Sequence, residues 1–282
     1  MKKQHVLPFI IFLLFLFAVA PAVKGNEVPF VPTPENVVEE MLAMGEVSAI
    51  DNLIDLGSGD GRIVITAAKR HRANATGIEY NNDLVLKSRE NAIKEGVADK
   101  ATFLHEDLYL ADISGATIIT MYLLPDVNLK LRPRILQLAP GTRIVSHDFD
   151  MDEWEPDAKK LINPPEKSYG RHSQVYLWIV PANVDGRWVG TISGPDGEKP
   201  VELEFDQKFQ KASIKGTVAG KKMVGSCNLR GDALSLLLEP SAKKQKIQPS
   251  QFDLRIKGNE IEGKGQDGKK RQVTLRVKRS AS

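Results

Sequence analysis

Asn52-Leu53-Ile54-Asp55-Leu56-Gly57-Ser58-Gly59-Asp60-Gly61 is the stretch on which the fold turns. Its first five residues read as a short buried strand that runs straight into three glycines spaced two apart. An amphipathic segment follows at once, with Ile63, Val64, Ala67 and Ala68 on one face and Lys69, Arg70 and His71 at its end. Strand, glycine turn and helix form the first unit of a doubly wound sheet, whose ligands lie beyond the strand C-termini. Glycines in the turn let the backbone approach a ligand with no Cβ in the way.

Residues 75–79 read as the second strand, and Glu79 lies 18 residues after Gly61. A carboxylate at that place suits both hydroxyls of a ribose. Residues 101–108 read as a third strand ending in acids, with Asp107 placed to accept from an adenine amino group and Leu108 to pack on its ring. Residues 117–122 and 142–146 are the fourth and fifth strands, with a helix around 129–138 between them. Residues 159–163 and 174–180 are the last two, the second rich in Val, Tyr and Trp. Upstream, Pro29, Pro32 and Pro34 exclude a helix before Thr33-Pro34-Glu35. There a capping hydroxyl, a proline and an acid predict a helix start, followed by the stripe Val37, Val38, Met41 and Leu42.

The glycine spacing chooses between nucleotides. Gly57, Gly59 and Gly61 give G-x-G-x-G, and Arg62 stands where a nicotinamide-dinucleotide turn needs its third glycine. Asp55, two residues before the first glycine, would repel a pyrophosphate but suits a cationic amine. The expected cofactor is therefore S-adenosyl-L-methionine, with Asp55, Gly57, Gly59, Gly61, Glu79, Asp107 and Leu108 around it.

From Val184 onward the apolar period changes to two, as in Val201-Glu202-Leu203-Glu204-Phe205, with turn signals at Gly194-Pro195-Asp196-Gly197 and Asp267-Gly268. About eight short strands predict a small all-β barrel or sandwich. The fold class expected is α/β, a Rossmann-like seven-stranded sheet over residues 28–181 followed by this all-β domain over 184–280. The 282-residue chain has a formal net charge of +3, yet about twenty Lys and Arg face about a dozen acids after residue 181. The basic runs Lys243-Lys244-Gln245-Lys246 and Lys269-Lys270-Arg271 lack interleaved aromatics, so no nucleic-acid partner is expected. A single cysteine, Cys227, excludes an internal disulfide and a multi-cysteine metal site.

Lys2 and Lys3 precede an apolar run over residues 6–23, with Ala18 and Ala20 near its end. This is the pattern of a secretory signal and is at the lower edge of a bilayer span. Residues 1–25 are expected to be a signal peptide or membrane anchor, making the protein membrane-associated or exported. The charge order puts the folded part on the far side of the membrane, away from where the cofactor is made.

Several motifs together carry a resemblance: Phe30-Val31-Pro32-Thr33-Pro34, Asp55-Leu56-Gly57-Ser58-Gly59-Asp60-Gly61-Arg62, Tyr122-Leu123-Leu124-Pro125, Ser146-His147-Asp148-Phe149 and Tyr176-Leu177-Trp178-Ile179-Val180-Pro181. The chain resembles class I methyltransferases, and within them the adenine nucleotide translocase and ATP synthase c-subunit lysine methyltransferases with their bacterial relatives. The resemblance implies that Pro32 and Thr33 fold over the cofactor. It also implies that Tyr122 and the turn at 146–149 border the acceptor channel, and that the acceptor is a lysine of a protein, membrane proteins included. The catalytic candidates are Asp148, to orient the amine, His147, to take its proton, and Tyr122, to line the channel. His147, Asp148, Asp150 and Asp152 offer only one histidine on a loop of acids, so no metal is expected. Methylation of a small molecule or lipid, and a non-catalytic exported binding protein on the same fold, are the alternatives.

Overall fold

Strand β1 (Asn52–Leu56) lies in the interior of a seven-stranded sheet in a computed structural model, which describes residues 30–163, 172–242 and 248–280. The other strands are β2 (Asn74–Glu79), β3 (Ala101–His105), β4 (Ile118–Met121), β5 (Arg143–His147), β6 (Ala158–Ile162) and β7 (Ser173–Ile179), in the order β3-β2-β1-β4-β5-β7-β6. β1 to β5 run parallel, while β7 is antiparallel to β5 and β6 to β7. The order reverses between β1 and β4, and a crevice opens at that switch point.

Among the described residues, four helices cover the sheet: α1 (Glu35–Met44), α2 (Arg62–His71), α3 (Asn82–Lys94) and α4 (Pro125–Ile135). Val38, Met41, Leu42, Val64 and Ala67 pack one face. Leu131 and Ile135 of α4, with Ile119, Trp154 and Trp178, fill the other. The sheet is therefore buried on both faces, as parallel strands require.

Three local expectations are corrected. The residue preceding α1 is Pro34, which makes no side-chain cap; the Thr33 hydroxyl instead meets His147. The helix expected over 129–138 begins at Pro125, because proline presets the first helical φ and Asp126 favours the first turn. The third strand stops at His105. Asp107 instead opens a turn, accepting the Leu110 N–H through its carbonyl and the Tyr109 N–H through its carboxylate.

The second body is a closed, up-and-down barrel of β8 (Gly186–Gly194), β9 (Gly197–Lys208), β10 (Lys211–Val218), β11 (Lys221–Arg230), β12 (Ala233–Pro240), β13 (Ser250–Lys257), β14 (Glu260–Gln266) and β15 (Gln272–Arg279). β15 pairs with β8 to close it, with Val277 opposite Gly190. A Cβ on Gly190 would overlap the Arg276 carbonyl, so that closure needs glycine. Trp188, Leu203, Phe205, Leu229, Leu254 and Leu275 fill the interior. Cys227 is buried among them, and its burial pushes the thiol up to about 12. Arg271, from the second basic run, pairs with Asp196 and Asp267 across the barrel end. The first basic run and the apolar segment over 6–23 lie outside the described residues. Among those described, no helix is long and apolar enough to cross a membrane.

Candidate active site

The glycine turn between β1 and α2 forms the floor of a cavity of about 850 Å³ at the switch point. All three glycines have positive φ, 76° at Gly57, 55° at Gly59 and 82° at Gly61. A Cβ on Gly57 would stand 2.8 Å from Leu123, and one on Gly59 would strike the Phe30 ring. Gly61 does not line the cavity. It caps α2, and a side chain there would meet Phe103 and Ser88.

Three predicted carboxylates line this cavity. Asp55 is 2% exposed and accepts a 2.7 Å hydrogen bond from the Thr120 hydroxyl. Its burial, reinforced by the nearby Glu79 and Asp60 charges, pushes the carboxyl up to about 7 despite that bond. Glu79 accepts the Gly59 N–H at 2.9 Å on one oxygen and the Asn81 N–H at 2.8 Å on the other. It thus fixes the loop while keeping a lone pair on each oxygen for a diol. Asp107 and Leu108 stand on the same wall.

Residues 30–33 cover the cavity, with Pro32 and Thr33 in its wall. Their anchor is one that the sequence alone does not assign. Arg62 donates to the Thr33 carbonyl at 2.8 Å, while its fork is held by Asp60. On the other side the Thr33 hydroxyl lies 3.3 Å from His147 Nδ1, and His147 Nε2 lies 2.9 Å from the Ser173 hydroxyl. Burial holds the His147 imidazole below its ordinary range, against the upward pull of Asp148. The ring is a neutral bridge beneath the lid, and it does not line the cavity.

Tyr122 does line the cavity, with its ring 3.9 Å from that of His147 and 6.1 Å from Phe149, centroid to centroid. Asp148 follows His147 at φ 60°, a left-handed position that Asp tolerates better than most residues. Its carboxylate accepts the Gln174 N–H at 2.8 Å. The turn is then tied to α4, where Asn128 donates to the carbonyls of Phe149 and Asp150. Thr120, Asn128, Arg62 and the cavity residue Lys130 carry no assignment from sequence. Only Arg62, directly behind the glycine motif, gives a signal there.

The chemistry of this set fits a sulfonium nucleoside. A dry carboxylate faces the loop, a two-oxygen acceptor stands at the second strand, and two glycines leave the floor free of side chains. The methyltransferase domain of the ANTKMT family matches residues 55–158. A protein-lysine N-methyltransferase of Saccharolobus islandicus is 43% identical over 155 residues, which are 54% of this chain and 94% of that protein. The human ATP synthase c-subunit lysine N-methyltransferase is 35% identical over 140 residues, 49% of this chain and 59% of its own length. A crystal structure described as an RNA methyltransferase from Salinibacter ruber, in complex with S-adenosyl-L-homocysteine, is 51% identical. It covers 55% of this chain and 96% of that one, with a TM-score of 0.50. The demethylated cofactor in that relative agrees with the carboxylates and glycines described above, and the chain accordingly belongs to the ANTKMT family of S-adenosylmethionine-dependent methyltransferases.

Proposed function

We propose that the protein methylates the ε-amine of lysine in a protein acceptor presented at or near a membrane. The observation that carries this reading is the sign of charge beside the channel. Four carboxylates, Asp55, Asp60, Glu79 and Asp107, line the cavity against two cations, Arg62 and Lys130, and Arg62 is already paired with Asp60. Such a surface attracts an ammonium and repels a phosphate backbone. The names of the archaeal and human relatives support the same acceptor. The description of the Salinibacter ruber relative supports the competing reading, methylation of RNA. The membrane part rests on the apolar run at 6–23 and on the exposed Phe30, Val31 and Tyr80 beside the cavity.

When bound, the cofactor supplies an electrophilic methyl group for in-line displacement, so the chain's own work is positioning. Glu79 holds the diol and Asp55 the ammonium of the methionine end. Asp107 and Leu108 hold the adenine. A lysine ammonium must lose a proton first, and at pH 7 this costs roughly 4 to 5 kcal/mol from a free pKa near 10.4. The Tyr122 ring, in the cavity wall with Phe149 stacked on it, lowers that cost by excluding water from the charged form. Asp148 stands outside the cavity lining, and its partly exposed carboxylate would accept an N–H of the entering amine and aim its lone pair. The proton leaves to water, because both His147 nitrogens are engaged with Thr33 and Ser173. His147 is in this reading a positioning residue for the lid.

Methyl-labelled cofactor, supplied with the purified enzyme to a membrane extract and separately to total RNA, tests the reading. Label recovered as methyllysine supports it, whereas nuclease-sensitive label or label in the lipid fraction overturns it. Asp148→Ala is expected to abolish transfer while cofactor affinity, measured by calorimetry, stays unchanged.

A further inference from the structure

The turn between β9 and β10, Phe209-Gln210, reaches from the barrel into the methyltransferase sheet. Phe209 has φ 55°, in the left-handed region that favours glycine or asparagine in two-residue hairpins. A bulky ring is held there against backbone preference, so its contacts must fix it. The ring stacks on Trp154 at 5.9 Å and 15°, and the Arg132 guanidinium lies over it at 5.3 Å. Gln210 is buried and donates to the Glu155 carbonyl at 2.7 Å. Lys208 pairs with Glu153 and Lys211 with Glu155 on either side.

Arg132 connects this contact to the site. It donates to the Met151 carbonyl at 2.8 Å, one helical turn beyond Asn128, which holds the carbonyls of Phe149 and Asp150. Three consecutive carbonyls of the turn carrying Asp148 are therefore held by two side chains of α4. One of those side chains, Arg132, lies over a ring from the barrel.

We propose that Phe209 is a positioning residue for methyl transfer, through which the barrel holds the 148–151 turn in its productive shape. The proposal rests on the acceptor-side role given to that turn above. Phe209→Leu keeps apolar burial but loses the flat ring, while Phe209→Tyr keeps the ring. In the full chain, Phe209→Leu is expected to speed amide hydrogen exchange in residues 146–152 by about fivefold, with the 55–61 turn unchanged. The kcat for label transfer into the membrane extract should fall roughly tenfold, with cofactor Kd unaltered. Phe209→Tyr should restore both. Unchanged exchange at 146–152 overturns the proposal and leaves the lysine reading standing. Faster exchange with full turnover overturns both the proposal and the acceptor role of the turn. A parallel loss of cofactor affinity reduces Phe209 to a packing residue. Absence of protein labelling by the unaltered enzyme, by contrast, counts against the lysine reading alone.

Discussion

Asp55 is where binding and stability oppose each other. Its folded pKa, about 7, stands above the unfolded value near 3.9. A carboxyl shifted in this direction leaves the fold undisturbed below about pH 4. It withdraws up to about 4 kcal/mol as the pH rises through 7 and the dry group ionises. Asp55→Asn should therefore melt higher than the parent at about pH 8, and equally at about pH 4, in ligand-free thermal scans. The same variant should lose the cofactor, since an amide cannot pair with the ligand's ammonium. For the parent protein, calorimetry should show affinity rising from about pH 6 to about pH 8, with a proton released on binding at the lower end. An affinity independent of pH would mean that Asp55 does not face the ammonium.

At the scale of elements, the lid over residues 30–33 depends on a side chain from the start of α2. Arg62→Ala removes a charge-assisted hydrogen bond to the Thr33 carbonyl, worth about 1.5–3 kcal/mol. Cofactor affinity should drop roughly tenfold or more, with little change in melting temperature because the bond fixes the lid and not the packed core. Calorimetry together with a thermal scan checks both. The strands and glycine turn were legible in the sequence because each is set by neighbouring residues: alternation, apolar runs and glycine spacing are local signals. The choice of barrel over sandwich was not, because it depends on whether β15 returns to β8, some eighty residues away in the chain. The Thr33 hydroxyl misled for the same reason. Its partner His147 is 114 residues distant, and that contact replaces the local cap that the sequence implied. Asn128 and Thr120 likewise read as ordinary polar residues until the sheet brought Phe149 and Asp55 beside them.

For the whole molecule, charge is divided: carboxylates outnumber cations around the cavity, and bases outnumber acids in the barrel. Raising ionic strength from about 0.01 to about 0.15 M shortens the screening length from about 30 Å to about 8 Å. With a lysine-bearing acceptor, attraction to the acidic mouth weakens and KM for the acceptor should rise. With a polyphosphate acceptor the sign reverses at that mouth, so steady-state kinetics across this range separates the two. The closed barrel, finally, seals the chain's one cysteine between β10 and β12, where Cys227 lies opposite Ala212 and Leu236. A thiol so placed, nearly buried and held in its neutral form, reacts slowly with alkylating reagents while the strands stay paired, and faster when they part. The molecule thus carries its own gauge of barrel breathing, one that reads that body's opening without sensing the melting of the sheet beside it.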